Sequence, residues 1–325
     1  MPRVVITRGP VIEAVHPFSA VAVQGGRVVA RWGPPIRAAW RSACKPFQLW
    51  CSLEAIGHED FSDAELAVGA ASHTGEPEHV ALVRGLLARF ELAESELRCG
   101  GHAPLYREAA EALVRAGQPF GDVHNNCSGK HTFMLAACRS AGWSGDYRDP
   151  SHPLQRRIGA YLGELSGRWP AHGVDGCGVP TWILPISNMA RAWCTLAEVA
   201  ANPALDPRLG RIATAFAANP FLTSGHGRLD ATVMANRREP MLVKIGAAAL
   251  YCVALPARGM GVVVKVHSGD ESALGVAVAA SLERFAPGSF APPPDWSWGL
   301  VRNVVGAVVG ERRVEEREAA GRLGG

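Results

Sequence analysis

The β-branched, apolar runs of this chain lie at its two ends. Val4-Val5-Ile6 opens the chain, and Ala20-Val21-Ala22-Val23 faces Arg27-Val28-Val29-Ala30 across Gly25-Gly26, the pattern of an antiparallel hairpin. Met241-Leu242-Val243-Lys244, Leu250 to Leu255 and Gly261 to Val266 follow only in the last third, separated by glycines and Pro256. Strands need partners for their backbone groups, so these distant runs are expected to share one sheet. Between them the apolar spacing is helical, with helices expected at 42–56, 63–71, 76–90, 106–116, 131–141, 153–166, 195–202 and 206–218. A further helix is expected at 271–284, then a proline loop at Pro292 to Pro294, a short strand at 300–305 and a frayed charged tail from Glu311 to Gly325. Terminal strands bracketing a helical middle predict an α/β domain whose sheet mixes both ends of the chain, beside a helical lobe.

Composition narrows the partners. The formal net charge is only +3 and no basic block exceeds a few residues, which argues against nucleic acid and against a polybasic membrane surface. No apolar run reaches the 18 or so residues of a membrane span, and no signal peptide is read at the start, so the expected location is cytoplasmic. Eight cysteines are scattered without close pairing, as expected of reduced, buried thiols.

Lysine is the residue that points to chemistry. Four lysines stand against 29 arginines, and a chain that uses arginine for ordinary charge can keep lysine where an amine must lose its proton. Ser42-x-x-Lys45 places a hydroxyl and an amine on one helical face, with Pro46 tolerated in a first turn. Lys244-Ile245-Gly246 follows on an expected strand, and Ser72 lies between them in the polar loop Ala71-Ser-His-Thr-Gly-Glu76. Serine acyl-transferring enzymes of the penicillin-recognising type order their motifs in this way. Ser72 and Thr74 also suit helix capping, with Glu76 close behind. Cys127-Ser-Gly-Lys-His131 precedes a helix, where a thiol is acidified; by spacing, Cys127, His131 and Cys177 could form a three-ligand metal site, or the segment could be a glycine turn with buried cysteines. Trp296 and Trp298 are read as core cover.

Taken together, Arg41-Ser-Ala-Cys-Lys-Pro-Phe-Gln48, Ala71-Ser-His-Thr-Gly-Glu76, His124-Asn-Asn-Cys-Ser-Gly-Lys-His131 and Asp175-Gly-Cys-Gly-Val-Pro180 resemble the L-asparaginase II family of the Rhizobium type. Gly227-Arg-Leu-Asp230, Lys244-Ile-Gly-Ala247 and a closing Arg302-Asn303, Gly306 and Val309-Gly310 extend the resemblance along nearly the whole chain. It implies a fold like serine β-lactamases and glutaminases, a mixed, mainly antiparallel sheet flanked by helices with a helical lobe. One asparaginase II-type domain over 1–325 is then expected, its sheet drawn from about 1–40 and 240–310 and its helical lobe from about 60–225. It also implies a homodimer that hydrolyses L-asparagine to aspartate and ammonia.

The same resemblance implies two serine–lysine pairs, Ser42 with Lys45 and Ser72 with Lys244, and one zinc per chain held by Cys127, Lys130 and Cys177, with His131 and Asp175 nearby. Spacing alone favours His131 over Lys130 as the ligand. Ser42 is expected to attack, Arg41 to hold the substrate carboxylate, Asp175 its ammonium, and His131 to join the substrate-binding set. Ala247-Ala248-Ala249-Leu250 stands where the family pattern has a Gly-Ala-Glu-Gly-like stretch, so an acidic residue is missing there. Lys265, on a neighbouring expected strand, is either the strand lysine of the site in place of Lys244 or a plain surface charge. The competing readings are a zinc-dependent amidase, which chelation would expose, and a non-catalytic amino-acid-binding protein of the same fold.

Overall fold

The structure, a computed structural model, describes residues 1–58 and 60–316. Its strands are β1 (Pro2–Arg8), β2 (Val11–Gln24), β3 (Arg27–Trp32), β4 (Arg37–Ala39), β5 (Ala171–Val174), β6 (Pro180–Pro185), β7 (Leu242–Gly246), β8 (Leu250–Leu255), β9 (Met260–Val266), β10 (Leu300–Arg302) and β11 (Val308–Glu316). The helices are α1 (Lys45–Ile56), α2 (Asp63–Gly69), α3 (Pro77–Arg89), α4 (Arg107–Arg115), α5 (Ser128–Ala141), α6 (Pro153–Ser166), α7 (Ile186–Ala201), α8 (Pro207–Ala218), α9 (Pro220–Ser224), α10 (Leu229–Ala235) and α11 (Leu274–Phe285).

Eight strands form one sheet in the order β10-β11-β1-β2-β9-β8-β7, with β3 paired to β2, and β4-β6-β5 form a second, small sheet. All pairings among the described residues are antiparallel. The two ends of the chain meet at β2 and β9, where Phe18 pairs with Val266 and Gln24 with Met260. The fold is α/β, with helices on both faces of a sheet whose pairings among the described residues are antiparallel.

Alternation explains why the late strands read as unbroken apolar runs. Along β8, Leu250, Cys252 and Ala254 enter a core shared with α1, α5 and α7, while Tyr251, Val253 and Leu255 enter a second core covered by α11. Val21 and Val23 of β2 join the first core, and Phe18, Ala20 and Ala22 the second. A sheet buried on both faces has no polar side to show. Helix α7 lies so close to β9 that a Cβ on Gly261 would come within 2.2 Å of the Ala190 carbonyl, which leaves room only for glycine. Trp296 packs into the second core as expected.

Three expectations need correction. Helix α7 starts at Ile186 rather than 195, because Ile186, Met189 and Ala190 already face the core behind Pro185. Helices α9 and α10 were not anticipated, since five and seven residues are too few to display a helical period. The tail is not frayed through Glu316: β11 lies between β10 and β1, its first half paired with β10 and Arg312 to Glu316 with β1, and Glu315 is bonded to Arg3 at 2.8 Å. The rest of that tail, 317–325, lies outside the described residues.

The β7–β8 connection carries left-handed backbone at two successive alanines, Ala248 (φ 60°) and Ala249 (φ 56°). Such a conformation costs a residue with a Cβ about 1 kcal/mol relative to one that has none. Ala248 is exposed, so burial of its methyl group does little to offset that cost. Ala248→Gly is therefore expected to raise unfolding free energy in urea by about 1 kcal/mol; a fall would show that the turn is not strained.

Candidate active site

The first core ends, near β7, at a set of polar groups sealed among apolar ones. Arg41 to Cys44 form a 3₁₀ turn, and α1 begins at Lys45 with Pro46 in its first turn, so Ser42 precedes the helix rather than opening it. Arg41 has φ 51°, a left-handed value that a residue with a Cβ adopts at a cost and that recurs where a functional group must be aimed. Lys45 is fully buried; its Nζ donates to the carbonyl oxygens of Ala71 at 2.5 Å and Asn126 at 3.1 Å. One amine thus ties α1 to the Ser72 loop and to the loop before α5.

Ser72 is buried and Ser42 half-buried. The Ser72 hydroxyl donates to Ser42 Oγ at 3.4 Å and accepts from Asn126 Nδ2 at 3.1 Å, while its backbone N–H donates to the Thr223 carbonyl. The capping reading of this loop does not hold: residue 76 is the N-cap of α3 without a side-chain cap bond, and Thr74 turns its hydroxyl onto the Glu76 carboxylate.

Lys244 reaches the same region by strand parity. It shares its face of β7 with Leu242, which lies in the first core, and pairs across to Cys252. It is completely buried, donates to the Ile245 carbonyl at 3.2 Å and lies 3.6 Å from Asp230 Oδ2. Burial lowers its pKa to about 7; Asp230 opposes that shift and the charge on Lys45 reinforces it. Lys265, one strand further over, is half-buried and turns its amine onto the Val266 carbonyl. Among the described residues no hydrogen bond joins Lys45 to Ser42 or Lys244 to Ser72. The two pairs converge without being closed.

Arg41 and Asp175 are bound to each other, Nε to Oδ1 at 2.6 Å, and the same oxygen accepts the Gly176 N–H at 2.7 Å. Oδ2 of Asp175 and the terminal nitrogens of Arg41 are left without hydrogen bonds among the described residues. Behind them Lys130 Nζ donates to Cys177 Sγ at 3.1 Å, and Cys127 adjoins the same sulfur. The adjoining Cys177 thiol holds the Cys127 thiol well below its ordinary range, with burial opposing and the Lys45 and Lys130 charges assisting. Burial opposes charge on Lys130, yet Cys177, Cys127 and Asp175 outweigh it and keep the ammonium. Helix α5 can bring these groups so close to α2 because residue 129 is glycine; a Cβ there would lie 2.3 Å from the Val68 carbonyl. His131 is buried, neutral because of that burial, and bonded through Nδ1 to the Tyr147 hydroxyl at 2.7 Å; its Nε2 has no partner.

No trio of His, Cys, Asp or Glu among the described residues is arranged as a metal site. Of the three donors that the resemblance implies, Lys130 Nζ and Cys177 Sγ lie 3.1 Å apart and Cys127 adjoins them; sulfur ligands suit zinc, and Lys130 would have to release a proton to join them. Two polar partners had no assigned role in the sequence: Asn126, inside a motif read for its cysteine, lysine and histidine, and Asp230, which no spacing rule connects to Lys244.

The strand order, the serine–lysine motifs and their placement define an α/β chain of the acyl-transfer motif order. Its sequence matches the profile of the L-asparaginase II family over residues 4–314, and the chain belongs to that family, whose members hydrolyse amides. Nothing among curated proteins matches it. Solved structures similar to it include a protein called Mglu in its native form (14% identity, TM-score 0.45), covering 82% of this chain, which spans 63% of the length of Mglu. A β-lactamase described as putative in its source, from Bacteroides dorei (11% identity, TM-score 0.44), matches 82% of this chain and 94% of its own. A β-lactamase from Mycobacterium bovis (15% identity, TM-score 0.40) covers the same share of this chain and 94% of its own. No helix among the described residues is long and apolar enough to cross a membrane.

Lys244 links the site to folding. With a folded value near 7 against an ordinary 10.5, the folded state binds fewer protons than the unfolded one between those limits, so stability rises with pH there. The effect has an upper bound of roughly 5 kcal/mol. Lys244→Met should remove it: relative to the unaltered protein, the variant is expected to be more stable at pH 6 than at pH 9. Equal differences at both values, measured by urea unfolding, would mean that Lys244 titrates as a solvated lysine.

Proposed function

We propose that the chain is an L-asparagine amidohydrolase working by serine–lysine nucleophilic catalysis. The observation that carries this reading is the hydrogen bond between the Ser42 and Ser72 hydroxyls, set among two fully buried lysine amines. Ser42 is the more accessible of the two serines, and Ser72, held by Asn126, is placed to relay a proton. Once Lys45 has given up its proton, the two hydrogens left on its amine are held by the Ala71 and Asn126 carbonyls, and its lone pair is open to take the Ser42 proton.

In the first step Ser42 Oγ bonds to the side-chain amide carbon and the carbon–nitrogen bond breaks. The proton taken from Ser42 passes through Ser72 and the lysines to the nitrogen, which leaves as ammonia. In the second step water adds to the aspartyl ester, the Oγ–carbon bond breaks, and Ser42 recovers its proton. Arg41 and Asp175, although paired, keep free guanidinium nitrogens and one free carboxylate oxygen side by side, the complement of an amino acid's carboxylate and ammonium. His131 belongs to this set through its unbonded Nε2.

Cys127, Lys130 and Cys177 would hold one zinc ion, which would supply a fixed positive charge beside the site. Homodimeric assembly and a cytoplasmic location are part of the same proposal.

A coupled ammonia assay across asparagine, glutamine and small amides is expected to show turnover that Ser42→Ala lowers by at least about 10³-fold in a folded protein. Substantial residual turnover would move the nucleophile to Ser72 or to water. Elemental analysis is expected to find one zinc per chain and to lose it in Cys177→Ala. Activity that disappears with zinc and returns with it, while Ser42→Ala remains active, would favour a zinc amidase. Asparagine binding without ammonia release would indicate a non-catalytic binding protein.

A further inference from the structure

Among the buried ionisable groups, Asp230 is a carboxylate beside Lys244 that the proposed reaction leaves unused. It is almost fully buried, at 2% exposure, in the first turn of α10. Both of its carboxylate oxygens accept the backbone N–H of Ile245, each at 3.1 Å. Oδ2 also faces Lys244 Nζ at 3.6 Å. The side chain therefore grips the lysine's strand one residue past the lysine and stands beside the amine it carries. A buried carboxylate bonded only to an amide would be an expensive group to retain without a second role.

We infer that Asp230 is the positioning residue of Lys244: it anchors the strand through Ile245 and provides the amine with a buried anionic neighbour that fixes where its nitrogen sits. This rests on the reading of Lys244 as part of the reacting set. The other groups facing that amine cannot substitute for Asp230. Arg228, just before α10, and Lys45 on α1 both carry positive charge, which disfavours a second cation. Cys127 acts in the same direction as Asp230 but ranks after all three. From β8, Cys252 pairs directly with Lys244, and burial keeps its thiol protonated. Tyr251, also on β8, is fully buried and makes no hydrogen bond of ordinary geometry; burial and the nearby Asp230 charge keep its hydroxyl protonated. Asp230 is thus the group that holds Lys244 near neutrality against burial, where an unaided amine would titrate lower still.

The scarcity of lysine makes the test direct. With lysine labelled at Cε, the protein has four signals to resolve, and Lys244→Met assigns the one that belongs to Lys244. In the unaltered protein that signal is expected to titrate near 7. In Asp230→Asn, which keeps the shape and can still meet an amide, the midpoint should fall by about one unit or more, and Asp230→Glu should restore part of the loss. The rise of kcat/KM with pH should move down by the same interval, with kcat falling more than KM changes. A Lys244 midpoint that stays in place in folded Asp230→Asn overturns the inference; so does a Glu variant that behaves like Asn. A midpoint that moves while activity ignores it upholds the pairing and overturns the role of Lys244 in the reaction. If Asp230→Asn does not fold, Asp230→Glu carries the test, since a longer acid that leaves the midpoint near 7 with the signal unshifted contradicts a placement this specific.

Discussion

Two lysine amines buried in one small volume cannot both carry charge at low cost. Lys45 and Lys244 are each sealed from water, and each feels the other's field. Everything around them answers that constraint. The carbonyls of Ala71 and Asn126 take the hydrogens of Lys45, and those bonds pull the Ser72 loop and the loop before α5 onto α1. Lys244 has one carbonyl and one carboxylate, a thinner shell, and it is the amine that burial brings to the edge of neutrality. Moving either lysine into solvent would take a donor from those carbonyls or the cationic neighbour from that buried carboxylate.

The sheet makes such a site available. Because both of its faces are buried, a strand residue has two destinations, and parity chooses between them. Lys244 takes the face of Leu242 and Cys252 and so arrives where α1 presents Lys45; a shift of one residue would send it into the all-apolar core under α11. The left-handed backbone at Arg41 completes the approach from the other side, turning the chain out of the small sheet and into the 3₁₀ turn that carries Ser42.

The sequence shows the parts of this arrangement whose signals are periodic or chemically rare. The late strands stand out because burial on both faces makes them unbroken apolar runs, and helices such as 153–166 stand out because a long helix repeats its pattern several times. Lys45, Lys130 and Lys244 stand out because lysine is scarce. Asp230 and Asn126 do not: a carboxylate 14 positions before its lysine and an amide that reaches a serine from another loop are tertiary facts with no local period. The strand at Val308–Glu316 was hidden for another reason, since its charged, partly exposed residues look like a solvated tail. The mutual pairing of Arg41 and Asp175 was equally invisible, because two residues from separate loops have no spacing to read.

The central claim is that Ser42 forms a covalent bond to substrate beside two buried amines. Rapid acid quenching of the protein during turnover of asparagine, followed by mass spectrometry of its peptides, tests this most directly. The account predicts an aspartyl adduct on the peptide that contains Ser42, absent from Ser42→Ala and discharged as hydroxamate when hydroxylamine replaces water. An adduct on Ser72, or sustained ammonia release with neither adduct nor hydroxamate, would contradict it.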